Sequence, residues 1–587
     1  MDSRESLHAS DTPRPSNGWI GAGIFVFVLA IYVLSSPGRI DIIDGQARYE
    51  VTYNLLLDGR PVVRDPWIKP VRGVPGRKGL SYSIYGAPGS VFSMPLVWLG
   101  LLADNPPGEP SRFLFSLTSS IFGALIAVVL YLFYIELGLA AREALAWTMV
   151  NAFATLVWPT SNSTFDNAQH AFFAISAVYL GYLSAKRKSR FLAAAGGMMA
   201  GVLILYQEYF LLLIPALAIC TLDWPPVIAP PLNAGRKARL KPLWDQLSTD
   251  IRNDIQALFN LVRSPFRGQG ETRESCVRLL CFLTTVGVGL ALSLAYNDLR
   301  FGSILHTGKL QFESEGAYPL LGNPLAGFVT LLLSPGKSVF LYSPPLILGV
   351  FGIRHLWRRR PDVGTAIAAA SAILVLFISC ISFAGGDWCW GPRYLVVLLP
   401  LWALAFPFAL RERRLRRNLV VAIVGLGLAV QVLALSMENQ RFFFERGLND
   451  FFWAEDPWFY CKHSALVARV GEVISLKDGL PPTAQMFNSV PIPDWSTYSI
   501  LGPPRKMRRS LAPQWMRQFK IYYLPRPWPI WAWWVKPDLR PVNLEAWIGG
   551  VCGLGLLGIA LVVQGFRKSS GSRVTQGVVP IQEAGPP

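Results

Sequence analysis

The stretch "NGWIGAGIFVFVLAIYVLSS" (17–36), followed by "RIDIIDGQARYEVTYNLLLDGRPVVRDPW" (39–67), decides how the chain is read. The first part is uncharged and mostly apolar, and about 20 such residues span a bilayer's hydrocarbon core as a helix. It lacks a small-residue cleavage site and further apolar runs follow, so it reads as a retained helix rather than a signal peptide. Two carboxylates, Asp41 and Asp44, stand where the chain leaves the membrane. Beyond them Tyr49, Tyr53, Leu56 and Leu57 recur at helical spacing, which predicts an amphipathic helix lying on the membrane surface.

The rest of the chain repeats the first signal. Of its 587 residues, 52% are hydrophobic and 16% charged, whereas soluble chains carry about a quarter charged residues. The formal net charge of +18 would suggest nucleic acid in a soluble protein. Here much of it lies in short loops, "AKRKSR" (185–190), "RHLWRRR" (354–360) and "RERRLRR" (411–417), the positive-inside pattern of cytoplasmic loops. Apolar length and flanking charge predict an all-α polytopic membrane protein of about twelve transmembrane helices. They fall near 18–35, 113–137, 143–158, 167–184, 191–206, 209–222, 278–296, 338–353, 363–383, 393–410, 419–437 and 545–566. The tails 1–17 and 567–587 are then cytoplasmic, and interfacial helices occupy the first external loop. "GAPGSVFSMPLVWLGLLA" (86–103) is apolar but holds Pro88 and Pro95, and counting it as a span would scatter the basic loops. It reads as interfacial, as does 320–336. The segment 438–544 is external and rich in Pro and Trp, and "YYLPRPWPIWAWWV" (522–535) suits an aromatic belt.

The external face gathers the candidate chemistry. Asp44 can act as a general base if its site is partly dry, or it is a solvated loop acid. Asp166, in "PTSNSTFDN" (159–167), either caps a helix N-terminus or faces Asp44 across a cavity. Arg393, in "AGGDWCWGPRY" (384–394), lies on the side that the positive-inside rule does not explain; it either binds a lipid phosphate or pairs with Asp387. Lys309, His306, Arg48 and Lys78 are further external cations, and Glu208 and Tyr85 further cavity candidates. The 7 cysteines form no CxxC pair; Cys389 and Cys461 are external and able to bridge. No HExxH, DxD or nucleotide-binding loop occurs, which argues against an ATP-driven pump and against a nucleotide-sugar donor held on this chain.

Four segments carry a resemblance. "DGQARYEVTYNLLLDG", "YSIYGAPGSVFSMPLVWLGLL", "LVWPTSNSTFDNAQHAFFAISAVYL" and the pair "FGSILHTGKLQF" and "GDWCWGPRYLVVLLP" occur in this order on one predicted face. Over most of residues 18–437 the chain resembles the GT-C class of membrane glycosyltransferases, of the protein O-mannosyltransferase and lipid A aminoarabinose transferase type, glycosyltransferase family 39-like. That resemblance implies transfer of a hexose or pentose from a polyprenyl-phosphate donor to a hydroxyl of a lipid, glycan or protein, with inversion. It implies Asp44 as base, Asp166 as second acid, and Arg393, with Lys309 or Arg48, on the donor phosphate. Many members carry two adjacent acids where Gly45 follows Asp44 here, so Asp41 stays a rival base. Some relatives use a divalent metal, but no ligand set is visible in this chain. A transporter or flippase of lipid-linked saccharides, or a ligase of them, is the alternative; no repeat of halves supports the transporter. The lack of an organelle signal is compatible with a bacterial cytoplasmic membrane and a periplasmic active site.

Overall fold

The computed structural model describes residues 17–38, 40–64, 72–103, 109–224, 269–309, 321–386, 389–410, 417–436, 464–475 and 544–571. Six of its helices are long and apolar enough to cross a membrane: Asn17–Ser35, Pro110–Glu136, Arg273–Phe301, Pro361–Ser379, Arg417–Ser436 and Ala546–Arg567. The protein is a helical, multi-pass membrane protein. Several of the other expected spans are shorter or segmented. The expected span 209–222 is a 3-10 turn Glu208–Leu213, a short helix Ile214–Ala218 and a second turn Ile219–Thr221. The one at 393–410 divides likewise into Arg393–Leu398, Leu399–Ala403 and Phe406–Ala409. The one at 338–353 breaks at Pro344 and Pro345, between Val339–Tyr342 and Leu346–Arg359. Apolar length does not report continuity. A proline removes one helical N–H and clashes with the preceding turn, and the freed carbonyls are tolerated where protein surrounds them. Asn167–Lys186 is buried on nearly every face, which lets it carry Asn167, Gln169 and His170 inside the bundle.

The first loop is where the structure departs most from the surface-helix picture. A helix runs Ile43–Asp58, with Asp44 inside its first turn, and it ends at Gly59, whose left-handed φ of 69° allows its N–H to reach Asn54 and Leu55 carbonyls. Its aromatic stripe faces protein. Tyr49, with Tyr53 and Leu56, packs on Val97 and Leu101 of the helix Pro88–Ala103 and on Phe115. Leu57 alone of the stripe points out, 58% exposed. The outer face of Pro88–Ala103 carries exposed Trp98, Leu99 and Leu102.

The loop also contains a structure the all-helical expectation lacks, an antiparallel hairpin of strands Gly73–Pro75 and Ser81–Ser83. Its turn, "GRKG", places Lys78 and Gly79 at positive φ. A buried arginine fastens it to the bundle: Arg300 donates to the carbonyls of Ser83 at 2.6 Å and Tyr85 at 3.0 Å. Opposite, the turn before Asn167–Lys186 is tied to the end of the first helix, where Asn162 and Trp158 donate to the Ser35 hydroxyl at 2.7 and 2.9 Å.

Gly45 closes the arrangement. A Cβ there would meet Thr164 Oγ1 at 2.2 Å and its Cβ at 2.6 Å. A side chain at this position is therefore sterically excluded by the packing of the two loops. Gly45→Ala should lower stability by about 1–3 kcal/mol through overpacking. Gly18→Ala, with nothing within 4 Å, should be neutral or slightly stabilising in the same thermal unfolding series.

Candidate active site

The chemistry gathers where four segments meet: the N-terminal turn of Ile43–Asp58, the open end of the hairpin, the start of Asn167–Lys186, and the loop ending at Arg393. Asp44 lies at its centre, 4% exposed. Arg72 Nε donates to its Oδ1 at 2.8 Å, and Arg393 Nη1 reaches Oδ2 at 3.3 Å. The Tyr85 hydroxyl also bonds to it. Burial pushes the Asp44 carboxyl up, but Arg72, Arg393 and Arg48 outweigh burial and hold it at about 2, against 3.8 for an ordinary aspartate. As arranged, it is a fully ionised, weakly basic carboxylate.

Asp166 occupies the N-cap position of its helix, yet its side chain makes no capping bond. The capping expectation does not hold, because the carboxylate turns to Arg48 Nη2 at 2.8 Å, with His170 Nε2 at 3.5 Å. Burial raises the Asp166 carboxyl, and Arg48 and then His170 more than reverse this, so it stays well below the usual carboxylate range. Arg48 also stacks on the Tyr85 ring at 4.2 Å, and Arg393 on Phe165 at 3.9 Å. These contacts orient two guanidiniums whose charges are almost wholly removed from water.

Asp41 plays a different part. It accepts from Ser163 Oγ at 2.6 Å, Thr164 N at 2.8 Å and Thr164 Oγ1 at 2.5 Å. Burial pushes its carboxyl up, and these hydrogen bonds only partly offset that. It staples the first loop to the second, with both of its oxygens taken up by Ser163 and Thr164.

Of the expected residues, then, Asp44, Asp166, Arg48, Arg393 and Tyr85 come together. Lys309 and Glu208 pair with each other at 2.7 Å, with Gln207 also accepting from the amine. His306 packs its ring at a tilt against Phe301, with centroids 4.7 Å apart. The expected pairing of Arg393 with Asp387 lies outside the described residues, as do Cys461 and the aromatic run 522–535. Cys389 donates its thiol to the Gly386 and Gly391 carbonyls at 2.9 and 3.1 Å.

Sequence reasoning missed Arg72 and His170. Arg72 reaches Asp44 because its carbonyl accepts from Ile84 N at 3.3 Å, extending the hairpin pairing and setting it near Tyr85. "VPGRKGLSYS", a turn between two β-prone runs, was the signal for it. His170 follows Asp166 by one helical turn. Among the described residues no group of three or more His, Cys, Asp or Glu stands together to hold a metal. Both site carboxylates have guanidiniums as their nearest charges, which does not fit a divalent cation.

No family model matches the chain, and no curated protein matches it. Among solved structures it is similar to ArnT from Cupriavidus metallidurans, solved bound to undecaprenyl phosphate, with 14% identity, 95% of this chain and 80% of that chain covered, and a TM-score of 0.43. It is also similar to the Archaeoglobus fulgidus oligosaccharyltransferase, solved tethered by a disulfide to an acceptor peptide containing the NVT sequon. There the identity is 15%, the coverage 86% of this chain and 59% of that chain, and the TM-score 0.34.

Removing one partner of a buried ion pair strands the other's charge. Arg48→Ala should therefore cost about 3–5 kcal/mol, read as lost folded yield and a lower Tm, with Asp166→Asn partly restoring the double variant. The two lowered carboxylates contribute stability that is complete above their unfolded value of 3.8. That contribution is lost as pH falls from 3.8 towards about 2. A pH series of thermal unfolding should show the wild type losing Tm over this interval, and Asp44→Asn losing less.

Proposed function

We propose that this protein is a membrane glycosyltransferase that moves a sugar from a polyprenyl-phosphate donor to an acceptor hydroxyl, with inversion, using Asp44 as general base. The observation that carries this reading is the buried cluster of three guanidiniums, Arg48, Arg72 and Arg393, around two carboxylates, Asp44 and Asp166. The ion-paired set keeps an excess of positive charge in a dry place, which suits a phosphodiester group. It lies just beyond a membrane-length helix, so a lipid-borne donor can present its phosphate from the bilayer. The sequence resemblance to the GT-C class supports the same chemistry.

In one displacement, Asp44 accepts the proton of the acceptor hydroxyl as its oxygen bonds to the anomeric carbon. The bond from that carbon to the phosphate oxygen breaks, and its electron pair stays on the released polyprenyl phosphate. Arg393 and Arg72 stabilise the charge that grows there. Asp166 holds Arg48 against Tyr85 and so keeps the Asp44 pocket in shape. Residues 18–437 carry this core, and the site faces the outside of a bacterial cytoplasmic membrane. The acceptor is a lipid, glycan or protein.

The test is sugar transfer by purified protein in detergent from a panel of polyprenyl-phosphate sugars, with Asp44→Asn assayed beside wild type after a check of folding. Transfer should fall by about 10²–10⁴-fold in the variant. Undiminished transfer would remove Asp44 as the base. Absence of transfer from every donor, together with movement of the lipid-linked sugar across liposomes, would favour the transporter.

A further inference from the structure

Both oxygens of Asp44 are engaged. Arg72 holds Oδ1 at 2.8 Å and Arg393 holds Oδ2 at 3.3 Å. A general base needs an oxygen able to take a proton, and a phosphate seat needs guanidinium N–H groups able to donate. The Arg72 Nε–H and Arg393 Nη1–H that meet Asp44 are donors a phosphate in that seat would take, and while Asp44 holds them they are withheld from it. Carboxylate and phosphate present similar pairs of oxygens to a guanidinium fork, so each can replace the other.

We propose that Asp44 occupies the donor phosphate's own seat on Arg72 and Arg393, and that arrival of the phosphate displaces the carboxylate and thereby releases it as the base. This inference rests on the transferase reading above and deepens it. The groups facing Asp44 fit the exchange. Arg72 comes from the hairpin and Arg393 from a loop that turns at Gly386 and Gly391, both at positive φ. The Tyr85 hydroxyl remains beside the carboxylate, and Arg48, on the same helix, stays engaged with Asp166 at 2.8 Å. The displaced carboxylate thus keeps a hydrogen-bond partner but loses its two closest charges. Burial, which favours the protonated form, then acts on it against the remaining charge of Arg48, with the two closest guanidiniums neutralised by the phosphate. Donor binding and basicity are coupled: the donor draws a proton affinity onto Asp44 that the unliganded site suppresses, and the donor in turn binds more tightly at lower pH.

The experiment measures binding of a polyprenyl phosphate without sugar to wild type, Asp44→Asn, Arg72→Ala and Arg393→Ala. Asp44→Asn removes the competitor and should bind about tenfold more tightly than wild type, although it is inactive in transfer. Both arginine variants should bind more weakly. Equal or weaker binding by Asp44→Asn, with wild type binding, overturns the displacement and leaves the transferase reading standing. No binding by wild type overturns the transferase reading itself. Should Asp44→Asn fail to fold, infrared difference spectra of wild type at about pH 5, above the carboxyl's unliganded value, carry the test. Added polyprenyl phosphate should produce a protonated-carboxyl stretch, and an unchanged carboxyl region overturns the inference.

Discussion

A charge removed from water must be met by an opposite charge or given up. That constraint organises the head of this protein. Asp44 is 4% exposed and is met by Arg72, 28 residues away, and by Arg393, 349 residues away. The ion pairs therefore join the hairpin, the first-loop helix and a distant loop into one body. Asp166 and Arg48 do the same for the second loop, at 2.8 Å. Breaking any one of these would leave a buried charge less fully compensated.

The surrounding backbone is shaped to bring those charges close. Gly45 has no Cβ, so Thr164 can approach and hydrogen bond to Asp41. Arg300 pins the hairpin's exit at the Ser83 and Tyr85 carbonyls, which sets Tyr85 against Arg48 and Asp44. The N-cap position of Asn167–Lys186 gives up its local capping bond so that Asp166 can reach across to Arg48. In each case a local preference yields to the demand for charge compensation. This is where functional sites commonly depart from local rules.

Pairing also sets the chemistry. Two acids three residues apart, Asp41 and Asp44, meet opposite environments. Hydroxyl and amide donors surround the first, and its carboxyl is raised. Guanidiniums surround the second, and its carboxyl is lowered. Residue type alone could not separate them, because the difference lies in what the fold sets beside each one.

The membrane character, the positions of most helices and the presence of Asp44, Asp166, Arg48, Arg393 and Tyr85 in or beside the loops between them were legible in the sequence. Those features depend on local apolar length and on charge next to it, which are properties of contiguous residues. The breaks at Pro215, Pro344, Pro345, Pro400 and Pro407 were visible as prolines, but whether each kinks or divides a helix depends on its neighbours. The hairpin left a turn signal that the helical pattern overshadowed. The partners were not legible. Lys309, expected on a donor phosphate, pairs with Glu208, and Arg72, unnoticed, holds Asp44. Which carboxylate meets which guanidinium is decided only by tertiary structure, because ion pairing acts through space between segments hundreds of residues apart, and a linear sequence carries no record of that distance.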